Sequence, residues 1–210
     1  IKNERQTALD CLVNIIRIFG INMNKNLRDY IKVYENHLSD EICDQTLEEI
    51  EKAKFSQHTF YDAIDGTYSA RSGSRELDVS WDNVSTRPII MQRIWDGISQ
   101  YLQDLNFPWF TTWQGYSGVR FNQYKEDRLM ALHCDHIHSL FDGERKGIPT
   151  ISIVGTLNDD YKGGEFVMFQ DEVIKMPKGC LLMFPSNFLY PHRVDPVTKG
   201  VRNTYVSWAY

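Results

Sequence analysis

The residues with the most chemical promise are His133-Cys134-Asp135, with His192 and Arg202 further along the chain. In a strand, side chains two apart share a face. The spacing therefore predicts that His133 and Asp135 point together and Cys134 points away. Two imidazoles and one carboxylate on one side of a borderline divalent ion such as Fe(II) leave coordination positions open, and open positions are what oxygen chemistry requires. The third ligand has to come from a distant strand. His192, which follows the turn-like Pro185-Ser186-Asn187, is the choice. His136 and His138 stay open as competitors, because a zinc site can also be drawn from His133-Cys134-Asp135-His136-Ile137-His138. A hydrogen-bonded His-Asp pair on a strand would explain H-x-D equally well.

Arg202 lies ten positions after His192, across a segment containing Pro196 and Gly200. If the two residues sit on adjacent antiparallel strands, Arg202 comes near the metal but not onto it. A dicarboxylate chelating the ion through one end would present its other carboxylate there. A guanidinium grips a carboxylate with a two-pronged fork, fixing orientation as well as charge. Thr204 and Trp208 share a strand face with Arg202, and Tyr124 lies nine residues before His133. Thr204 and Tyr124 could add hydrogen bonds. Taken alone, Arg202 reads as well as a surface salt bridge. Gly163-Gly164-Glu165 reads as a hairpin turn.

These residues need elements to hold them. Residues 7–19 read as a helix, with Leu9, Leu12, Ile16 and Phe19 at helical spacing and Gly20 as its stop. A short strand is predicted over 30–34. Ser39 and Asp40 then cap a helix carrying Ile42, Leu47 and Ile50. Residues 56–84 are polar and turn-rich, and with Arg71 and Arg75 they offer a lid or a plain solvated loop. Thr86 and Pro88 open a second amphipathic helix through Ile90, Ile94, Ile98, Tyr101 and Leu105. After Phe107 the texture changes to short β-branched and aromatic runs: 116–124, 129–135, 150–157, 166–169, 172–176, 180–184, 192–194 and 201–209. Such spacing predicts a sandwich or jelly roll. The layout is α+β, mainly β, with supporting helices on the N-terminal side.

Composition narrows the classes. The 210 residues carry a net charge of −5, so the molecule as a whole does not attract nucleic acid. Cys11, Cys43, Cys134 and Cys180 form no C-x-x-C pair, which argues against a zinc ribbon or a disulfide framework and points to reduced thiols and a cytoplasmic setting. No apolar run approaches the length of a membrane span, and the 7–19 segment does not read as a signal peptide. The chain opens on Ile1 rather than Met and stops at Tyr210 inside an apparent strand, so flanking pieces are expected at both ends.

The ordered set of motifs resembles the prolyl 4-hydroxylase branch of the 2-oxoglutarate/Fe(II) oxygenases, and within it the bacterial and phage PKHD-type hydroxylases. The matching pieces are Tyr124, His133-x-Asp135, Gly163-Gly164-Glu165, Lys178-Gly179 before Leu181 to Ser186, His192-Arg193-Val194-x-Pro196-Val197, Gly200-x-Arg202 and Trp208, with Leu38-Ser39-Asp40-Glu41-x-Cys43 near the start. The likeness covers residues 30–210, leaving 1–29 as a helical extension. It implies a double-stranded β-helix core. It also implies Fe(II) at His133, Asp135 and His192, and 2-oxoglutarate at Arg202 and Tyr124. The implied reaction hydroxylates a C–H bond with O2, releasing succinate and CO2, with ascorbate as an optional addition. A prolyl residue in a peptide or protein is the expected substrate, and a free amino acid is the alternative. Collagen-type relatives usually carry Lys where Arg202 stands. Nucleic-acid demethylases carry a second Arg where Trp208 stands, and halogenases replace the carboxylate that Asp135 supplies. A non-catalytic jelly-roll metal-binding module is the reading from another class, and Arg202 speaks against it.

Overall fold

The computed structural model describes residues 26–62, 67–69, 75–135 and 148–210. The helix expected over 7–19, and with it most of the proposed extension, lies outside them. So do Arg71, His136 and His138.

A short 3-10 turn, Leu27–Tyr30, leads into β1 (Lys32–Tyr34) and α1 (Asp40–Ile50). Four short strands follow: β2 (Ser56–Gln57), β3 (Phe60–Asp62), β4 (Thr67–Ser69) and β5 (Asp78–Ser80). After α2 (Arg87–Leu105) come β6 (Arg120–Tyr124), β7 (Met130–His133), β8 (Ile151–Thr156), β9 (Lys162–Gly163) and β10 (Phe166–Met168). The chain ends with β11 (Glu172–Ile174), β12 (Leu181–Pro185), β13 (His192–Val194), β14 (Val197–Lys199) and β15 (Arg202–Ala209).

Two antiparallel sheets dominate the described residues. The larger runs β1-β12-β8-β15-β6-β5-β2 and the smaller runs β11-β10-β13-β7. Strand alternation sorts side chains between two cores. Phe121, Ile151, Ile153, Leu181, Met183, Tyr205 and Ala209 face the helices, where they meet Ile90, Ile94, Ile98 and Tyr101 of α2 and Cys43 and Ile50 of α1. Their neighbours Tyr124, Val154, Leu182, Phe184 and Val206 face the smaller sheet and pack with Met130, Phe166, Met168 and Val194. β8 and β12 have no solvent face, so β8 is buried throughout and β12 is an unbroken apolar run rather than an alternating one.

Both helices start where the spacing predicts. Ser39 Oγ accepts from the Ile42 amide, capping α1. The inward face of α1, however, is Cys43, Thr46 and Ile50. Thr86 does not cap α2. Its hydroxyl instead meets that of Thr46 at 2.7 Å, tying the two helices together.

The 56–84 stretch departs from the expectation of a loop. β2 and β5 extend the large sheet beyond β6, and Leu77 is fully buried. Gly163-Gly164 also departs from the hairpin reading. β9 pairs with β14 while β10 pairs with β11 and β13, so the glycines pass between two sheets rather than turning one hairpin.

One close approach in the core is testable. Gly155 pairs with Tyr205, and a Cβ at Gly155 would stand 1.9 Å from the Tyr205 ring, which is fully buried and cannot retreat. Gly155→Ala should cost about 1–3 kcal/mol of stability, read as a lower urea midpoint at unchanged slope.

Candidate metal centre and cosubstrate pocket

His133 closes β7 and His192 opens β13, and the two stand directly opposite each other in the register. Their ring centres are 4.3 Å apart. Asp135 completes the group: one ligand atom from each of His133, Asp135 and His192 falls within 4.8 Å of the others. The strand ends at His133, so alternation along β7 is not what aims Asp135. Two bonds from the opposite sheet hold it instead. Asp135 Oδ2 accepts from Ser152 Oγ of β8 at 2.8 Å and from Trp208 Nε1 of β15 at 3.1 Å. Its Oδ1 is left facing His133 Nε2 at 3.4 Å and His192 Nε2 at 3.9 Å.

The histidines are oriented by the same device. His133 Nδ1 bonds the Ala131 carbonyl at 2.8 Å, and His192 Nδ1 bonds the Tyr190 carbonyl at 3.1 Å. A carbonyl only accepts, so each Nδ1 carries a proton and each Nε2 faces Asp135: a neutral ring offers its lone pair there to a metal, and a protonated His133 donates from Nε2 to Asp135. His192 is wedged further by Phe166, stacked at 5.3 Å, and by the edge of Phe184 at 5.0 Å. Two imidazole nitrogens and one carboxylate oxygen, already converging, fit an Fe(II) centre of the two-His-one-carboxylate type.

Charge follows position. Burial opposes the Asp135 charge, but the hydrogen bond from His133, the nearby His192 and the Ser152 hydroxyl outweigh it, holding this carboxyl well below the usual range. Burial also opposes the His133 charge, and the bond to Asp135 overcomes it, so His133 is raised. For His192 burial wins, pushing it down to about 4. His58 is likewise lowered to about 4, by burial and then by Arg120.

The triad opens into a cavity of about 40 Å³ lined also by Arg120, Asn122, Tyr124, Arg202 and Trp208. Arg202 does not sit beside His192 on a paired strand, as the spacing suggested. β13 belongs to the small sheet and β15 to the large one, and the cation reaches the cavity from across the sandwich. Its register partner is Tyr124, whose ring centre lies 5.0 Å from the guanidinium carbon. Arg202 is 1% exposed. Its Nε donates to Tyr161 Oη at 3.2 Å and its Nη2 approaches Met176 Sδ at 3.9 Å. Among the described residues no carboxylate pairs with it. Gly164, at φ +69°, makes room for its stem: a Cβ there would stand 3.1 Å from Arg202 Cδ.

Sequence spacing thus brought His133, Asp135, His192, Arg202, Tyr124 and Trp208 to one place. Thr204 is fully buried with its hydroxyl unpartnered, and it is not among the residues lining the cavity. Cys134 turns aside to the Phe188 carbonyl. Arg120 and Asn122 were missed, although they stand four and two residues before Tyr124 on its own face. Ser152 was missed as well, and a serine set between Ile151 and Ile153 in the strand run 150–157 was its signal.

Residues 119–210 match the family described as the 2OG-Fe(II) oxygenase superfamily. A PKHD-type hydroxylase of Aliarcobacter butzleri (strain RM4018) is 39% identical over 95 residues, 42% of this chain and 41% of its own. Another, from Idiomarina loihiensis, is 34% identical over 93 residues, 43% of this chain and 40% of its own. The chain therefore spans about two fifths of the length of these curated relatives. Among solved structures, a prolyl hydroxylase from Trichoplax adhaerens, in complex with a hypoxia inducible factor peptide fragment, aligns with TM-score 0.65 at 17% identity, covering 95% of this chain and 91% of that one. A viral collagen prolyl hydroxylase from Paramecium bursaria Chlorella virus-1 aligns with TM-score 0.59 at 17% identity, covering 86% and 94%. These likenesses bear out the expected mainly-β jelly-roll architecture.

Two outcomes follow from the geometry. Ser152→Ala frees Asp135 to rotate and should weaken Fe(II) or Mn(II) binding about 10–100-fold, measured by calorimetry. Acid should also loosen the metal-free protein. A base with a lowered folded pKa contributes stability above its unfolded value of 6.5 and loses it as pH falls toward about 4. Raised His133 contributes fully below 6.5 and depressed Asp135 keeps its charge, so His192 and His58 govern that window. The melting temperature should drop between pH 6.5 and 4, and His192→Asn should flatten the drop.

Proposed function

On the match of residues 119–210 to the 2OG-Fe(II) oxygenase superfamily, we propose that this chain is a member of it and hydroxylates a C–H bond at the expense of 2-oxoglutarate and O2. His133, Asp135 and His192 would hold the iron. Iron held there would activate O2, one oxygen atom entering the substrate and the other entering succinate as 2-oxoglutarate loses CO2. The reading also treats residues 30–210 as one domain. β1 forming an edge of the sheet that contains β15 supports it.

The observation that carries the proposal is Arg202. A guanidinium buried to 1% exposure, with no carboxylate partner among the described residues, is costly unless an anion completes it. It lines the same cavity as the three ligand atoms, where an acid chelating iron at one end would present its second carboxylate. Tyr124 stands against the guanidinium, and the Thr204 hydroxyl lies two residues along the same strand face. Trp208 and Ser152 keep Asp135 in place, and Met130, Phe166 and Val194 give the pocket an apolar wall. A low-polarity wall strengthens the pull of Arg202 on its anion and excludes competing water.

A prolyl residue in a peptide or protein is the substrate class we favour. The support is that two proteins of similar fold are prolyl hydroxylases and one of them holds a peptide. Incubation with Fe(II), ascorbate, 2-oxoglutarate and a prolyl peptide library should release succinate and add one oxygen atom to a peptide. No succinate with any peptide, together with no 2-oxoglutarate binding, would overturn the proposal. Arg202→Gln should weaken 2-oxoglutarate binding about 100-fold or more, the loss expected on removing one partner of a buried ion pair. An unchanged Kd in that variant would remove Arg202 from the site.

A further inference from the structure

The cavity holds a second cation that the cosubstrate does not use. Arg120 lies on the inner face of β6, opposite Val206 in the register, while Tyr124 lies opposite Arg202. Four residues of strand separate the two positions, roughly 13 Å. Arg202 and the metal ligands already account for both ends of a five-carbon diacid, which leaves Arg120 as a further cation on the same cavity. The guanidinium of Arg120 is held at its stem and open at its tip. Nε donates to Asn122 Oδ1 at 3.0 Å, and the guanidinium carbon sits 5.1 Å from the centre of the Trp208 ring. No hydrogen bond engages its two terminal nitrogens, and no carboxylate pairs with it, among the described residues. Asp135 is the nearby anion, and its oxygens are committed to His133, Ser152 and Trp208.

Trp208 links the two halves of this arrangement. One side of its indole faces Arg120, and its Nε1 donates to Asp135. The cation therefore lies over an aromatic ring that itself bonds a candidate metal ligand. A planar fork immobilised in this way is built to take a carboxylate through two parallel bonds. Burial lowers the affinity of Arg120 for its proton, as expected for a cation whose counter-ion has yet to arrive.

Resting on the oxygenase reading, we infer that Arg120 anchors a carboxylate of the substrate, which places the carbon to be hydroxylated beside Trp208 and the metal centre. The substrate is then anionic next to its reactive residue. The charge is either a free α-carboxylate or an acidic side chain one residue away. Arg120 is a specificity-determining residue, and a neutral prolyl peptide is a poor substrate.

The test uses the full chain loaded with Mn(II) and titrated first with 2-oxoglutarate, then with matched ligand pairs followed by calorimetry and tryptophan fluorescence. The pairs are L-proline against L-prolinamide, and end-blocked Ala-Pro-Glu and Glu-Pro-Ala against their Gln counterparts. The carboxylate member of at least one pair should bind about tenfold tighter, as expected for one charge-assisted fork, and the pair that responds identifies the source of the charge. In Arg120→Gln that preference should collapse to less than about twofold, with partial rescue in Arg120→Lys. If Arg120 only props Trp208, the variant lowers both members alike and leaves their ratio unchanged, which overturns the inference. So does the absence of any preference in the wild type, whether both members bind alike or neither binds. Failure of the oxygenase reading is recognised separately, as loss of the 2-oxoglutarate isotherm in the first titration, and the pair ratio is still read on the Mn(II)-loaded protein.

Discussion

Asp135 has to keep a negative charge inside a sandwich of apolar sheets, and much of the architecture around the cavity answers that requirement. An isolated buried carboxylate would take up a proton. This one accepts from a hydroxyl on β8 and an indole on β15 of the facing sheet, and the Nε2 atoms of His133 and His192 lie 3.4 and 3.9 Å from its other oxygen. None of the four comes from the carboxylate's own strand except His133. The two sheets must therefore close at a set separation before the ligand group exists. The paired position of His133 and His192 across β7 and β13 supplies half of that closure, and the β8–β15 ladder supplies the other half.

The same requirement explains the layering. The large sheet is covered on one side by α1 and α2 and on the other by the small sheet, so its strands are buried on both faces. Water is kept from the cavity floor, and hydrogen bonds there gain strength from the low-polarity surroundings. Charges placed in such a floor are expensive unless they are answered. Asp135 is answered within the protein. Arg202 and Arg120 are not, and each stands at a different distance along the β6–β15 ladder. Two such cations line one cavity with the candidate metal ligands, which is the arrangement behind the two anionic ligands proposed above.

Glycines and aromatics make the close contacts possible. Gly155 accepts the Tyr205 ring on the helix side of the sheet, and Gly164 accepts the Arg202 stem on the cavity side. Both positions would meet a heavy atom if they carried a Cβ, one a buried ring and the other the side chain that defines the anion pocket. Gly164 thus packs against the stem of Arg202, although in the sequence Gly163-Gly164 has the look of an ordinary turn.

Short-range pattern was enough for most elements. Residues 87–105 form a helix because Ile90, Ile94, Ile98, Tyr101 and Leu105 recur at helical spacing, and the strand runs after Phe107 were visible in their β-branched and aromatic content. The types of His133, Asp135, His192 and Arg202 suggested a metal site and an anion partner, and only the whole ordered set of motifs carried the family resemblance. What the chain could not declare is which strands face one another. Arg202 was expected beside His192 and instead reaches the cavity from the opposite sheet. Asp135 was expected to be aimed by strand alternation and is aimed by Ser152 and Trp208. Arg120 gained meaning only when Trp208 was seen beneath it. Local periodicity depends on neighbours a few residues apart, so sequence determines it. Sheet pairing and the closing of a sandwich depend on contacts between residues far apart along the chain, as Trp208 and Asp135 are, and only the folded structure brings those together.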